Sequence, residues 1–360
     1  MRRPFVTFLV GLLPLVTVPC SGAEPAKAPA AKAATPAAKV PAYALAKHFT
    51  LGGEGGWDYV TADGAAKRLY IPRSTRVVVL DSETGKPVGE IPETEGVHGV
   101  ALAPDLGKGF TSNGRSSTVS VFDLKTLKVL SRVKTTGENP DAILYEPTSK
   151  RVFTFNGRGQ NATAIDAVSG EVVATIALGG KPEAPVSDAS GRVYVNVEDK
   201  SEIAVFDAKG TAVDKHWPLP GCTDPTGLAI DATNGRLFAG CANKVVVILA
   251  TVDGHLLATV PTGEGTDGVA FDPGPGLAFV SSGDGTMTVV REGPKGTFTA
   301  VQTVETQRGA RTLAVDEKSH RIFLPTAKFG PPPSPTPDRP RPRPSVVPDS
   351  FEILVVEPKG

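Results

Sequence analysis

The sequence is poor in the residues and motifs that mark most catalytic sites. Among 360 residues there are five His and three Cys, and Phe, Trp and Tyr together make up 6%. It contains no P-loop motif of the Gly-x-x-x-x-Gly-Lys-Ser/Thr type, no Gly-x-Ser-x-Gly nucleophile elbow and no Cys-x-x-Cys-His sequence. These absences argue against a P-loop nucleotide-binding protein, an α/β-hydrolase and covalent haem attachment.

The net charge and the spacing of apolar residues narrow the possible function and fold class further. The 38 basic and 38 acidic residues cancel, which argues against a general nucleic-acid or membrane-binding surface but leaves room for a local patch. No stretch of useful length has a helical period. Short runs of Val, Ile, Leu, Phe and Thr, separated by Gly, Pro, Asp and Asn, instead predict an all-β fold.

One sequence motif, Asp267-Gly268-Val269-Ala270-Phe271-Asp272-Pro273, is repeated six more times in the chain with substitutions. Successive copies are separated by 40, 43, 42, 43, 41 and 44 residues. Each copy reads as four short antiparallel strands, so the repeat predicts an all-β, seven-bladed β-propeller with four-stranded antiparallel blades. One residue of each copy occupies an equivalent place, called here the ring position: Asp58, His98, Asp141, Glu183, Thr226, Asp267 and Arg311.

The two ends of the repeat array predict how the ring closes. The seventh copy provides three strands, the third at 351–356, and segment 43–51 ahead of the first copy reads as a further strand. We expect this N-terminal strand to complete the last blade and remove an open sheet edge. Small residues directly after the ring position predict close inner strands: Gly99, Ala142, Ala184, Gly227 and Gly268.

The N-terminal region predicts export. Residues 1–23 have the basic start and short apolar run of a signal peptide, and residues 24–42 form an Ala/Pro/Lys-rich linker ahead of a propeller domain at 43–360. We expect a periplasmic or secreted protein with no membrane span after cleavage. The alternatives are a lipid anchor on Cys20 and a retained anchor segment.

The second and third strands of several copies resemble a known family. Leu69-Tyr70-Ile71-Pro72, Arg151-Val152-Phe153-Thr154-Phe155-Asn156 and Arg192-Val193-Tyr194-Val195-Asn196 are each followed by an apolar strand that ends in Asp. These segments resemble YVTN-repeat, YncE-like propellers, whereas the Gly-His and Trp-Asp pairs of WD-type repeats are missing. The resemblance implies a secreted or periplasmic seven-bladed propeller. It implies no single chemistry, because such propellers serve as binding modules, enzyme domains and cofactor holders.

The ring position is the first candidate site. We expect Asp58, His98, Asp141, Glu183, Asp267 and Arg311 to converge at the channel mouth and to bind either a cationic ligand or a divalent cation. The candidate metal ligands are Asp58, His98, Asp141 and Asp267. The alternative is that these side chains cap strand ends and solvate the channel. Propeller lactonases hold a metal in a similar place, but no residue-by-residue match to their ligands is present.

Basic side chains form the second candidate site. Asn113-Gly114-Arg115 and Asn156-Gly157-Arg158 occupy equivalent loops of adjacent blades, and with Arg73 and Arg76 they predict an arc that could hold a carboxylate, a phosphate or a single nucleic-acid strand. No aromatic platform accompanies the arc, which makes nucleic acid the weaker partner. The alternative is a type I′ turn at each Asn-Gly with a solvated arginine beside it.

Two further features remain. The Pro/Arg-rich insertion at 330–350 in the last blade is either a stiff docking strip for an acidic partner or a disordered loop that the ring tolerates. Cys222 and Cys241 flank neighbouring strands of one blade, so an exported chain should join them in a disulfide; two buried thiols are the alternative.

The sequence therefore predicts an exported, monomeric binding module for a small ligand or protein partner on the channel-mouth face, with binding favoured over catalysis. The other readings are a metal-dependent lactonase or hydrolase using the acidic ring, and single-stranded nucleic-acid binding through the arginine arc. The candidate ligand-binding residues are Asp58, His98, Asp141, Glu183, Asp267, Arg311, Arg73, Arg115 and Arg158.

Overall fold

The computed structural model describes residues 40–334 and 344–359. The predicted signal peptide, linker residues 24–39 and the centre of the Pro/Arg-rich insertion lie outside the described residues. Within the described part, 28 strands form seven four-stranded antiparallel sheets. The predicted seven-bladed propeller is confirmed. Of the residues described, none belongs to a helix long and apolar enough to cross a membrane.

The strands follow one another blade by blade, after an N-terminal strand β1 (Tyr43–Thr50). Blade 1 is β2 (Thr61–Asp63), β3 (Arg68–Arg73), β4 (Arg76–Asp81) and β5 (Pro87–Ile91). Blade 2 is β6 (Val97–Ala103), β7 (Lys108–Asn113), β8 (Thr118–Asp123) and β9 (Val129–Lys134). Blade 3 is β10 (Pro140–Glu146), β11 (Arg151–Asn156), β12 (Asn161–Asp166) and β13 (Val172–Ala177). Blade 4 is β14 (Pro182–Ser187), β15 (Arg192–Val197), β16 (Glu202–Asp207) and β17 (Lys215–Pro218).

The remaining blades repeat this order. Blade 5 is β18 (Pro225–Asp231), β19 (Arg236–Cys241), β20 (Val245–Ala250) and β21 (Leu256–Pro261). Blade 6 is β22 (Thr266–Asp272), β23 (Leu277–Ser282), β24 (Thr286–Glu292) and β25 (Phe298–Glu305). Blade 7 is β26 (Ala314–Asp316), β27 (Arg321–Thr326), β28 (Glu352–Pro358) and β1. Short 3₁₀ turns occur at Pro104–Leu106, Glu198–Lys200 and Pro294–Gly296.

The ring closes through β1, as the sequence predicts. β1 pairs antiparallel with β28 from Tyr43 opposite Pro358 to Thr50 opposite Glu352, with one irregularity between Leu45 and Lys47. The last blade therefore combines strands from both ends of the described chain, and the sheet edge of β28 is covered.

Apolar side chains pack between neighbouring blades. Phe153 of blade 3 and Phe206 of blade 4 lie 5.5 Å apart in edge-on contact, and both are fully buried. Tyr43 of β1 meets Phe279 of blade 6 at 4.9 Å. Full burial of such a side chain stabilises a fold by about 1.5–3 kcal/mol, so these contacts hold the blades side by side.

The inner strands crowd near the axis, which explains the small residues after the ring position. A Cβ added to Gly227 would lie 2.6 Å from the carbonyl oxygen of Asp267 in the next blade. The amide of Gly268 donates a 2.8 Å hydrogen bond to the carbonyl of Arg311 in the blade after that. Backbones at this distance leave no space for a side chain.

The predicted disulfide is present in blade 5. Cys222 lies ahead of β18 and Cys241 ends β19, and the two are bonded with a Cα–Cα distance of 5.4 Å. This distance is within the normal range for a disulfide.

Candidate functional site

Five ring residues share one local geometry. His98, Asp141, Glu183, Thr226 and Asp267 are each the second residue of an inner strand, where the pairing with the next strand becomes irregular. Such irregularities re-aim side chains, and here they coincide with the channel mouth.

Asp58 and Arg311 reach the mouth differently, because the inner strands of blades 1 and 7 are only three residues long and begin after them. The backbone holds Asp58 in place: its carbonyl accepts a 3.1 Å hydrogen bond from the Thr312 hydroxyl, and the Tyr59 amide donates to the His98 carbonyl at 3.1 Å.

Asp58, His98 and Asp141 form a compact cluster. The Nδ1 atom of His98 lies 2.7 Å from a carboxylate oxygen of Asp58 and 3.4 Å from one of Asp141. One potential ligand atom from each residue lies within 4.8 Å of the others. The cluster therefore places one ring nitrogen and two carboxylates, from three consecutive blades, around one point.

Burial and mutual charge shift the pKa values of this cluster. Burial raises the pKa of Asp141 to about 6, with Asp58 adding to the effect and His98 opposing it. Burial alone lowers the pKa of His98, but its hydrogen bond to Asp58 and the charge of Asp141 leave that pKa above the ordinary value.

Asp267 lies on the other side of the mouth and has its own cationic partner. Arg311 donates from Nη1 to a carboxylate oxygen of Asp267 at 2.5 Å. Burial raises the pKa of Asp267, and the guanidinium of Arg311 opposes that rise. The four residues predicted as metal ligands thus divide into a group of three, around His98, and Asp267, which is paired with Arg311.

Glu183 is the centre of a second network. It accepts hydrogen bonds from Lys181 Nζ at 2.7 Å and from the Tyr59 hydroxyl at 3.1 Å, and Lys181 also contacts Glu198. Burial and the charge of Asp141 raise the pKa of Glu183 to about 8, although Lys181 opposes the rise. Burial first, then the charge of Glu183, also raises the pKa of Tyr59.

Tyr59 reaches across the channel, although it is not among the site residues predicted from the sequence. It occupies the place directly after the ring position, where five other copies have Gly or Ala. From blade 1 it spans the channel to Glu183 in blade 4. A cavity of about 170 Å³ beside it is lined by the small residues of the other inner strands. The one large residue at an otherwise small position was the signal that could have identified it.

The ring and part of the basic arc line the same cleft. A cleft of about 810 Å³ bounded by blades 1 to 3 is lined by Asp58, His98 and Glu138 together with Arg115, Arg158 and Lys134. Arg115 and Arg158 are exposed. Carboxylates and cations therefore face one solvent-filled space.

No protein-family model matches the chain. It is similar to the uncharacterized protein YncE of Salmonella typhi and to that of Salmonella typhimurium strain LT2, with 24% identity over 193 residues in each case. The match covers 51% of this chain and 54% of each relative, so the chain spans about half the length of the curated relatives it matches. The chain is therefore a seven-bladed β-propeller that is similar in sequence to YncE over about half its length.

A solved structure shares the fold of this YncE-like propeller. A solved chain of the Kuenenia stuttgartiensis hydrazine synthase matches it with a TM-score of 0.68 at 16% identity, over 76% of this chain and 93% of that one. At this identity the likeness shows the shared fold alone.

Arg73 lies outside the basic arc of the YncE-like propeller. Its side chain is 2% exposed, and its guanidinium donates to the four carbonyls of residues 52–55 at 2.9–3.2 Å. It also lies 3.9 Å above the ring of Phe351. Burial, with a contribution from Arg76, lowers the pKa of Arg73 to about 10. The Arg73 side chain therefore fixes the glycine-rich segment 52–55 that precedes Asp58.

The two Asn-Gly turns also differ from expectation. A type I′ turn requires positive φ at both central residues. In this YncE-like propeller the positive φ values of these loops are at Ser117 and Gln160, and none is at Asn113 or Asn156. Instead, the Asn113 amide donates to Ser120 and the Asn156 amide to Thr163, which ties each strand end to the next strand.

An aromatic side chain lines the cleft as well. Trp57, directly before Asp58, lines the cleft together with Arg115 and Arg158. The prediction that no aromatic side chain accompanies the basic arc is therefore wrong. The insertion begins on this same face, since Phe329 and Val346 form an antiparallel bridge and the Gly330 amide donates to the Ser345 carbonyl at 2.8 Å. The Pro/Arg-rich centre of the insertion lies outside the described residues.

Proposed function

We propose that this YncE-like propeller is an exported, monomeric binding module that holds a small polar ligand in the channel-mouth cleft. The observation that carries the proposal is the convergence of Asp58, His98 and Asp141 within 4.8 Å beside a cleft whose other walls carry Arg115 and Arg158. Opposite charges at separate places in one concave site can orient a ligand as well as hold it.

A divalent cation fits the inner end of this cleft. Two carboxylates and one imidazole suit zinc or manganese better than calcium, which prefers a full set of oxygen ligands. A cation would also offset the repulsion between these two partly buried carboxylates. Asp58, His98 and Asp141 are the residues that would hold it.

The outer walls suit the anionic part of a ligand. Arg158 makes no ion pair with any described residue, and Arg115 lies 3.6 Å from Glu95 with 72% of its side chain exposed. Such a solvent-exposed ion pair contributes little to stability, so both guanidinium groups are free to bind a carboxylate or phosphate. Single-stranded nucleic acid is not proposed, because Arg73 is buried in the core and Arg76 lies 3.6 Å from Glu90, so that of the predicted arc only Arg115 and Arg158 line the cleft.

Export is part of the proposal. The disulfide of blade 5 supports it, because such bonds persist in oxidising compartments. Closure of the ring by β1 supports action as a monomer, because the paired edge is not open to another chain.

A thermal-shift titration with zinc, manganese, magnesium and calcium tests the cation site. We expect zinc or manganese to raise the melting temperature of the parent, since a ligand at about 100 times its Kd stabilises by about 2.7 kcal/mol. Asp141→Asn should lose the shift. Asp105→Asn is the matched control, because Asp105 bonds Tyr145 away from the cluster. An equal shift in Asp141→Asn would contradict the site.

A metal-dependent hydrolase or lactonase is the second candidate. It is favoured by one observation: the cluster supplies three ligands and borders an 810 Å³ cleft, and catalytic zinc sites combine three protein ligands with an open position. Lactone hydrolysis that needs the added metal and disappears in Asp141→Asn would support it. Cation binding without turnover would leave the binding role.

A further inference from the structure

A second recess shares Gly56 and Trp57 with the cleft. Trp57 packs 4.9 Å from Phe351 and 6.3 Å from Phe329, measured between ring centroids. Phe351 is 1% exposed, whereas Trp57 and Phe329 keep part of their surface in solvent. The three rings therefore lead from the core to the surface. The chain has two Trp, and the other, Trp217, is 6% exposed.

The aromatic rings are held in place from below and behind. The guanidinium of Arg73 covers Phe351 and fixes the carbonyls of the segment that precedes Trp57. Gly309, with a φ of +85°, lies so close beneath Phe329 that an added Cβ would be 2.3 Å from its ring. A platform locked by packing binds a flat ligand at a small loss of side-chain entropy.

The recess has a volume of about 450 Å³, which suits one small molecule. Its apolar walls are Trp57, Phe329 and Val346, and its charged residues are Arg308 and Arg311. No carboxylate belongs to the described residues that line it.

The two arginines differ in availability. Arg311 is paired with Asp267 at 2.5 Å. Arg308 is exposed and makes no side-chain ion pair with any described residue. The recess thus combines an aromatic platform with one free guanidinium.

We propose that this recess binds a small aromatic carboxylate, with its ring against Trp57 and Phe329 and its carboxylate on Arg308. Offset or edge-on contact with two aromatic rings selects a flat apolar group. The planar guanidinium selects a carboxylate, which it binds through two parallel hydrogen bonds. The site shares Trp57 and Gly56 with the cleft but uses none of the cation cluster, so it does not depend on the proposed function.

The test uses phenylacetate as the probe and phenylacetamide, which has the same ring without the charge, as its control. Binding is followed by calorimetry and by Trp fluorescence excited away from the probe's own absorption. We expect saturable binding of phenylacetate and quenching of Trp57, with phenylacetamide at least about tenfold weaker because it cannot form the charged pair. Trp217 is buried and should contribute little to the change.

Arg308→Gln is the decisive variant, since this exposed side chain makes no ion pair with any described residue. It should weaken phenylacetate binding about tenfold or more. Arg132→Gln is the matched control, because this exposed arginine pairs with Glu93 and lines neither the recess nor the cleft; it should bind phenylacetate within about twofold of the parent. Trp57→Leu should abolish binding, but it also removes core packing, so the arginine pair decides.

Three results would overturn the proposal. The first is no saturable binding of phenylacetate up to about 10 mM, a concentration beyond useful small-molecule affinity. The others are equal binding of phenylacetamide and an equal loss of binding in both arginine variants. The cation-induced thermal shift of Arg308→Gln should match that of the parent. A failure here is therefore distinguishable from a failure of the cation site.

Discussion

Glu183 should make the stability of the propeller fall as pH rises through neutrality. Burial and the charge of Asp141 raise its pKa to about 8, against an ordinary value of 4.5. The folded state therefore holds a proton that the unfolded chain has already lost between these two values. Stability from this proton is complete below about pH 4.5 and disappears as pH rises through about 8.

The magnitude follows from the two pKa values. At about 1.4 kcal/mol for each pH unit, the ionisation of Glu183 costs the folded state at most about 5 kcal/mol. Its side chain is 13% exposed, so solvent screens little of this penalty. Glu183→Gln keeps an acceptor for Tyr59 and has no charge at any pH. We expect the variant to match the parent near pH 4.5 and to exceed it in stability at about pH 8.5.

Denaturant unfolding at several pH values, with a chelator present to remove cations, measures this difference. Glu264→Gln is the control, because it removes the carboxylate of an exposed ion pair with Lys244 and leaves the Glu183 network unchanged. It should retain the pH slope of the parent. A Glu183→Gln variant that runs parallel to the parent, or is less stable at high pH, would refute the reasoning.

Three more predictions test the fold. Deleting Tyr43–Thr50 should lower the melting temperature or cause aggregation, because it uncovers the edge of β28; unchanged stability would contradict ring closure. Replacing Cys222 and Cys241 together by Ala should cost about 3 kcal/mol in denaturant unfolding, the chain-entropy value for a loop of about this length, and intact-mass analysis of the unreduced parent should show no free thiol at either position. Gly227→Ala should lower the free energy of unfolding by about 1–3 kcal/mol, because the new methyl clashes with the next blade. Gly157→Ala is the control: its methyl would have no neighbour closer than 3.4 Å, so it should cost about 1 kcal/mol or less. Equal losses of stability in the two variants would argue against crowding at the axis.

The architecture of this protein was determined by the sequence alone, because the fold repeats one pattern of apolar strands and polar turns. Comparison of the copies predicts the number of blades, their strand order and the small residues near the axis. The missing strand of the seventh copy predicts closure by β1, and the positions of Cys222 and Cys241 predict their bond. These features depend on local pattern and on the order of elements, which a sequence displays directly.

The chemistry at the channel mouth was decided by tertiary structure. The repeat makes the ring residues equivalent, yet His98 lies against Asp58 whereas Asp267 pairs with Arg311. Short inner strands in blades 1 and 7 and irregular pairing in the others determine which side chains meet. The contacts join residues 40 and 44 positions apart, so no local pattern reports them.

Residues at similar positions in the repeat differ in burial, and this difference gives their side chains different roles. Arg73 and Arg158 both follow or end a second strand, but Arg73 is enclosed by four carbonyls and an aromatic ring while Arg158 is in solvent. Tyr59 replaces a small residue and bridges the channel to Glu183, where desolvation raises both pKa values. Desolvation depends on every atom packed around a group, and for these residues those atoms come from blades distant in the chain.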